Sequence, residues 1–225
     1  MTRQLLLVAA GGLAREVLEV VRDTQSHVPL GFIDDDPKLW GQHVDGLPVL
    51  LGGFERIMEE RDAQVLICAG SGRARADIAV RLAGLGLPVG RYATLIHPSA
   101  QLGSSTIVGA GSVVLAGGVA TTNVSIGRHV VLMPRVVLTH DDVLDDFATL
   151  CASVSLAGNV HIERGAYLGQ GSVVRERCLV EEWALVGMGS VVLNDVPAGE
   201  VWAGNPARCL RSAATTQPAQ LTEVR

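Results

Sequence analysis

The sequence predicts a small α/β parallel-sheet unit followed by an all-β coil of stacked parallel turns. Three observations carry that expectation. An aliphatic residue returns at every sixth position from Ile96 to Val192 without a slip, Ala120 being the one small member. The position two before each is compact, and the one bulky polar exception is Asp142. Residues 1–93, in contrast, alternate short apolar runs with helix-spaced apolar patterns.

A six-residue period does not fit a 3.6-residue helix, and antiparallel meanders seldom hold one spacing so strictly. A parallel solenoid explains it best. Residues two apart on a strand share a face, so each hexad reads as a short strand with two inward side chains and then a bend. Glycine directly after the aliphatic residue, as at Gly103, Gly109, Gly127, Gly169 and Gly187, is expected to relax the backbone at some bends. The compact inner column implies a narrow interior, in keeping with aromatic residues at only 4% of the chain.

Taken in order, Gln4 to Ala9 reads as a buried strand broken by Gly11-Gly12, and Leu13 to Arg22 as an amphipathic helix. Pro29 to Ile33 reads as a second strand ending in Asp34-Asp35-Asp36-Pro37. Further strands are expected at Val49 to Leu51 and Gln64 to Ala69, with helices near Phe54 to Arg61 and Arg73 to Leu85. His97-Pro98 marks the junction, since proline holds the residue before it extended. The expected division is 1–93, 94–196 and a carboxy-terminal extension, 197–225, whose last stretch from Ser212 lacks periodicity and is expected to be mobile.

A net charge of −5 argues against a nucleic-acid partner, which needs a basic face to neutralise phosphates. Hydrophobic content of 48% with 18% charged residues describes a folded chain. No run is long enough to span a bilayer and the glycine-punctuated start does not read as a signal peptide, so a cytoplasmic protein is expected. Cys68, Cys151, Cys178 and Cys209 are widely separated, which indicates neither a disulfide framework nor a structural zinc site; Cys68 and Cys178 read as core.

Three places can carry chemistry. Free backbone N–H groups at Gly11 and Gly12, opening a helix, can hold phosphate, though a plain tight turn has the same sequence. Carboxylates at Asp34 and Asp35, at the end of a parallel strand, can receive a base or ribose, or form a solvated acidic turn. His140 falls two positions after Leu138, outside both inward columns, so its imidazole is expected to project from the coil beside Asp141. A carboxylate there stabilises the protonated ring and makes it a better proton acceptor.

These stretches together resemble the hexapeptide-repeat sugar acetyltransferases, in particular the group of bacillosamine-type N-acetyltransferases and sialic-acid O-acetyltransferase-like proteins. The resemblance covers about residues 2 to 211. It rests on AAGGLAREV from Ala9, GFIDDDP from Gly31, the repeat itself, LTHDD from Leu138 and GNPAR from Gly204. It implies a Rossmann-like amino-terminal domain that holds a nucleotide or nucleotide-sugar, then a left-handed parallel β-helix. The implied particle is a homotrimer that binds acetyl-CoA between neighbouring coils and uses no metal. It further implies His140 as general base and Asp141 as the residue that orients it. Gly158 becomes the oxyanion donor, and Gly204, Asn205, Pro206 and Ala207 line the cofactor. Its anionic groups call for local positive charge that Arg208, with Arg175 or Arg177, can supply, each reading equally as an ordinary surface arginine. On the acceptor side it points to Gly11, Gly12, Leu13, Asp34, Asp35, Met133 and Thr149. Four positions depart from the family pattern: Ala9 stands for glycine, Leu13 for His or Phe, Met133 for an acceptor-contacting Asn, and Thr149 for a His.

The leading expectation is therefore an acetyl-CoA-dependent N-acetyltransferase acting on a nucleotide-linked amino sugar. A non-nucleotide amine or a hydroxyl acceptor is the alternative, and a noncatalytic nucleotide-binding trimer a more remote one. A zinc carbonic anhydrase on the same repeat needs three convergent histidines, and His97, His129, His140 and His161 include no closely spaced pair.

Overall fold

The computed structural model describes residues 3–212, so the tail expectation from residue 213 onward lies outside the described residues. The amino-terminal unit is built on three parallel strands, β1 (Arg3–Val8), β2 (His27–Ile33) and β5 (Gln64–Ile67), in the order β2-β1-β5. Helices α1 (Gly12–Thr24), α2 (Arg56–Glu59) and α3 (Gly72–Gly84) and a short hairpin, β3 (His43–Val44) and β4 (Leu47–Pro48), complete it. β1 is buried on both faces, which is why its apolar run does not alternate. Leu5 and Leu7 face Val17, Leu18 and Val21 of α1, while Leu6 and Val8 face Phe54, Ile57 and Leu82.

Two expected elements are reduced. Val49 to Leu51 is no strand: only Val49 bridges Phe32, and Leu51 turns out to solvent ahead of Gly52 and Gly53. Pro48 lacks the N–H that would extend pairing on that side. The helix expected over Phe54 to Arg61 splits into a 3₁₀ turn, Gly53–Glu55, and the single turn of α2.

The coil runs in two-residue strands whose partners are always 18 residues apart, as in Val119↔Val137 and Val131↔Thr149. Three hexads therefore make one turn of a triangular prism. Sheet I carries Leu102, Ala120, Leu138, Leu156, Val174 and Val192; sheet II carries Val108, Ile126, Leu144, Ile162 and Val180; sheet III carries Ile96, Val114, Leu132, Leu150, Leu168 and Val186. The expected inward columns fill the prism, with partial exposure confined to the first turn, where Ile96 is 41% exposed. The compact column continues past the visible period to Val196, which is fully buried. An antiparallel hairpin, Glu200–Gly204 with Ala207–Ser212, then closes the lower end of sheet III.

The bends differ from expectation. Left-handed backbone recurs at every sixth residue from Gly111 to Gly189, three positions after the aliphatic residue, and most of these residues are not glycine; Asn123, Asp141, Asn159 and Arg177 are among them. Glycines directly after the aliphatic residue serve close approach instead. A Cβ on Gly103 would lie 1.9 Å from the Thr121 carbonyl oxygen, and one on Gly109 would lie 2.5 Å from the Gly127 backbone.

The two parts share one core, because Leu95, Val113, Leu115 and Val131 on the outer side of sheet III pack with the α1 face of the small sheet. Arg75 of α3 fastens the union. It is fully buried and faces no carboxylate; it donates to the carbonyls of His129, Ala69, Gly70, Phe147 and Ala148 and to Thr149 Oγ1, at 2.8 to 3.1 Å. Burial pulls its guanidinium down to about 10.

Candidate functional site

His140 sits at the prism corner between sheets I and II. Asn123, Asp141, Asn159 and Arg177 occupy that corner 18 residues apart, each with left-handed backbone, so one coil sets each above the next by about 4.8 Å. The imidazole is 58% exposed, as its place outside both columns predicts. Its Nδ1 meets Asp141 Oδ2 at 2.9 Å, and Asp141 Oδ1 accepts from Asn123 Nδ2 at 2.6 Å. The Asn123 bond, then the His140 bond, hold the Asp141 carboxyl below the usual carboxylate range. With Nδ1–H donating to that carboxylate, Nε2 is left as a proton acceptor.

Gly158 lies one coil below His140. A Cβ there would stand 2.2 Å from His140 Nε2, so only glycine leaves room for the ring. The corner is tied by Asn159 N–H donating to the His140 carbonyl at 2.9 Å and Arg177 N–H donating to the Gly158 carbonyl at 3.1 Å.

Asp142, the polar break in the compact column, proves to be a brace. It is fully buried, and its two oxygens accept from the N–H groups of Thr139 at 2.8 Å and Val160 at 2.9 Å. Burial pushes its carboxyl up to about 6 against the pull of those two donors. Its irregular place in the column was the signal that sequence reasoning left without a role.

Two cavities flank this corner or the neighbouring face. One of about 550 Å³ lies lower on the His140 corner, lined by Arg175, Glu176, Arg177, Cys178, Asn194 and Asp195. The other, about 350 Å³, is a largely apolar groove along sheet III that includes Met133, Cys151, Tyr167, Leu185, Gly187 and Met188. Cys151 Sγ lies 2.9 Å from Tyr167 Oη inside it. Gly204, Asn205, Pro206, Ala207 and Arg208 form the tip of the terminal hairpin, which extends that sheet beyond Leu185 and Val186. Ala207 is buried and Arg208 exposed.

In the amino-terminal unit, α1 opens at Gly11 with no side-chain cap and no acidic residue in its first turn, and both Gly11 and Gly12 face open space. Such an end is suited to an anion. The other expected residues there are engaged elsewhere. Asp34 spends both carboxylate oxygens on backbone N–H groups, those of Ala10 and Asp36 at 3.0 Å, and Asp35 pairs with Arg81 at the surface. Leu13 is 8% exposed in the core rather than presented to a ligand. Thr149, 4% exposed, is likewise withdrawn, its hydroxyl taken by Arg75. Met133 alone of the departing acceptor-side positions reaches a groove.

The histidines lie apart. His97 Nδ1 accepts from Ser99 N–H, His161 meets Asp145 on sheet II, and His129 is buried between Tyr92 and Phe147, its ring held neutral by desolvation with a pKa pulled down to about 4. Among the described residues no three His, Cys, Asp or Glu side chains are grouped to hold a metal, and no helix is long and apolar enough to cross a membrane.

Within one chain the acceptor-side features and His140 do not converge. The amino-terminal unit packs on sheet III and, through Arg75, on the corner between sheets II and III. His140 occupies the corner between sheets I and II, across the prism from sheet III.

Comparison with known proteins adds a consistent picture. Residues 4–82 match the PglD N-terminal domain. GDP-perosamine N-acetyltransferase of Escherichia coli O157:H7 is 28% identical over 223 residues, covering 93% of this chain and 97% of that protein. PerB from Caulobacter crescentus, solved in complex with CoA and GDP-perosamine, superposes with a TM-score of 0.83 at 27% identity, over 92% of this chain and 96% of its own. The acetyltransferase domain of PglB from Neisseria gonorrhoeae FA1090, in complex with acetyl coenzyme A, gives 0.82 at 29% identity, over 93% and 100%.

Proposed function

This chain is an acyltransferase of the hexapeptide-repeat sugar-acetyltransferase class, built on a left-handed parallel β-helix, and from that premise we propose how it works and on what. It transfers an acetyl group from acetyl-CoA to the amine of a nucleotide-linked amino sugar, with His140 as general base. The observation that carries this reading is the His140 ring: Nδ1 is committed to Asp141 while Nε2 stands over Gly158, free to accept a proton.

Acetyl-CoA supplies the acyl group as a thioester. His140 Nε2 takes the proton from the acceptor amine as nitrogen attacks the carbonyl carbon, and Asp141 stabilises the imidazolium that forms. Gly158 N–H, which makes no hydrogen bond among the described residues, is the donor for the carbonyl oxygen as it gains charge. Collapse expels the thiolate of coenzyme A, which the His140 proton neutralises.

We propose assembly as a homotrimer, and the outward faces of the coil support it. Sheet I turns Val119, Val137, Val173 and Val191 outward, and sheet III turns Tyr167 and Leu185 outward below the docked unit. Sheet II turns out Ile107, Ser125, Val143, His161 and Leu179, but the carboxylates Asp145, Glu163 and Glu181 directly follow its strands and give this face a row of charge. Two apolar faces that share a corner suit a three-fold axis along that corner, sheet I of one copy against sheet III of the next. A rotation axis shifts nothing along the coil, so His140, which lies in sequence between Leu132 and Leu150, meets the height of Met133 and Cys151 in the neighbouring groove. That groove accepts the pantetheine arm and continues to Gly204, Asn205, Pro206 and Ala207. Arg208, with Arg175 or Arg177 in the lower cavity, meets the phosphates.

In this arrangement residues 1–93 hold the nucleotide with Gly11 and Gly12, residues 94–196 carry the transfer, and residues 197–212 of the extension continue the cofactor groove. A reaction that draws on acetyl-CoA suits a cytoplasmic enzyme. The acceptor remains the variable part: the withdrawal of Leu13 and Thr149 favours a second reading, in which a non-nucleotide amine or a hydroxyl takes the acetyl group.

The test is release of free thiol from acetyl-CoA with GDP-perosamine, other amino-sugar nucleotides and non-nucleotide amines. Turnover with a nucleotide-linked amine, abolished by His140→Ala while acetyl-CoA binding persists, is the expected result. Exclusive use of a non-nucleotide acceptor overturns the first reading in favour of the second, and full activity of His140→Ala overturns the mechanism.

A further inference from the structure

The His140 ring does not stand on Asp141 alone. Asp141 is half-exposed, with 42% of its side chain accessible, and a side chain so open to solvent keeps rotamer freedom unless a partner fixes it. One coil above, Asn123 closes that freedom by donating Nδ2–H to Asp141 Oδ1 at 2.6 Å, which turns Oδ2 toward His140 Nδ1 at 2.9 Å. Asn123 is itself anchored from a further coil above, since Ser105 Oγ accepts the Asn123 N–H at 2.7 Å and contacts Thr122 Oγ1 at 3.2 Å. Asp141 N–H donates to the Thr122 carbonyl at 3.1 Å, so the carboxylate hangs from the same turn that carries the amide.

We infer that Asn123 is a positioning residue of the transfer reaction: its amide fixes the Asp141 carboxylate, which fixes the Nδ1–H tautomer of His140 and leaves Nε2 facing the reacting amine. The inference rests on the proposed role of His140 as base. Three features of the site support it. The Asn123 hydrogen bonds go to Ser105 and Asp141, and it lies outside the groove of its own chain. Its amide donor is the first of the influences that hold the Asp141 carboxyl ionised. Asparagine, which tolerates a φ of 54° better than most side chains, also supplies the one N–H donor that reaches Asp141 from above. An ionised carboxylate held in one orientation is what keeps an imidazole in one tautomer, and loss of tautomer control is costly in catalysis that uses the other nitrogen.

Asn123→Gly tests this without backbone strain, because glycine accepts the same left-handed conformation. Two readouts are needed. The ¹⁵N shifts of the His140 ring report the tautomer and do not depend on knowing the acceptor. The expected wild-type ring is protonated at Nδ1, and Asn123→Gly yields a mixture of the two neutral tautomers. In turnover with the acceptor that the wild type uses, kcat falls about tenfold, less than the roughly 10²–10⁴-fold that the general base itself contributes, while KM for acetyl-CoA and the melting temperature stay unchanged. Asn123→Gln, which keeps an amide donor on a longer arm, restores part of kcat. A wild-type ring protonated at Nε2, or an Asn123→Gly ring indistinguishable from wild type, overturns the inference whatever the activity. If His140→Ala retains full activity, the proposed mechanism fails first, and the tautomer measurement still decides what Asn123 does to the ring.

Discussion

The coil corner at His140 and the first turn of the amino-terminal unit are both places where polar groups gather, yet they are built in opposite ways. At the corner, Asn123, Asp141, His140 and Gly158 recur on an 18-residue lattice, and every polar contact leaves one ring nitrogen free. At the first turn the side chains are consumed by the fold and only uncapped backbone is left open: Asp34 is bonded to Ala10 and Asp36, Leu13 is core, and Ala9 is held in left-handed backbone. A lattice presents chemistry without spending it, because its strands are satisfied by the coils above and below. A turn between a strand and a helix has no such neighbours and satisfies itself with its own side chains.

The strongest way to break the comparison is to separate the two regions. Arg75 places six donor contacts across or beside their junction, so Arg75→Met leaves the buried His129 and Phe147 carbonyls of the coil, and the less buried Ala69 and Gly70 carbonyls of the amino-terminal unit, without that donor. The expected loss is about 3–5 kcal/mol, or roughly 10 °C in a chain of this size. Calorimetry is expected to resolve one transition into two, the amino-terminal unit melting first and the coil later. A single transition within about 2 °C of wild type would show that the apolar contact with sheet III holds the parts together unaided.

A second change sharpens the comparison inside the coil. Asp142 is the one buried carboxylate on the lattice, with its carboxyl pushed up to about 6 from an ordinary 3.8. A folded value above the unfolded one means that the native state holds the extra proton between those limits. The contribution is therefore fully present below about pH 4 and is lost as pH rises through about 6. Asp142→Asn removes the titration. The stability of the wild type relative to this variant, followed through the melting temperature, should fall between pH 4 and pH 6 and then level off, by an amount on the order of 1–3 kcal/mol. A difference that stays flat across that window would mean the brace at Thr139 and Val160 is ionised throughout.

How much of this was legible in the sequence follows the same division. The period located the inward residues of the coil as far as Val192, short of Val196, and put His140 outside, because a strand offers only two faces and 18 residues return to the same corner. It misplaced the bends by two residues, since glycine after the aliphatic position reports close approach of backbones and not left-handed φ. Arg75 was invisible: a single arginine in an amphipathic helix reads as solvated, and nothing local announces that backbone carbonyls 54 and 72 residues away will surround it. Asn123 was equally hidden, as its partner lies 18 residues on and only the stacking of coils joins them. Thr149 and Leu13 were placed on the acceptor side by resemblance, yet their size and polarity let the fold absorb them.

The smallest expected effect bears on whether the first turn can still serve a ligand. Ala9 has φ of 76°, where a Cβ crowds the following carbonyl, and its N–H donates to the Ile33 carbonyl at 2.7 Å, so the strand ends hold it there. Ala9→Gly removes a strain of about 1–2 kcal/mol but adds freedom to the unfolded chain worth about 0.5–1 kcal/mol. The net gain expected is below about 1 kcal/mol, a rise of roughly 2–3 °C. Because Ala9 stands two residues before the uncapped helix start at Gly11, the same variant should bind GDP more tightly if a diphosphate approaches that turn closely enough to meet the methyl. A rise in melting temperature with no change in GDP affinity would leave the turn as pure structure. It would then set the two regions fully apart, with the coil as the seat of chemistry and the amino-terminal unit as its support.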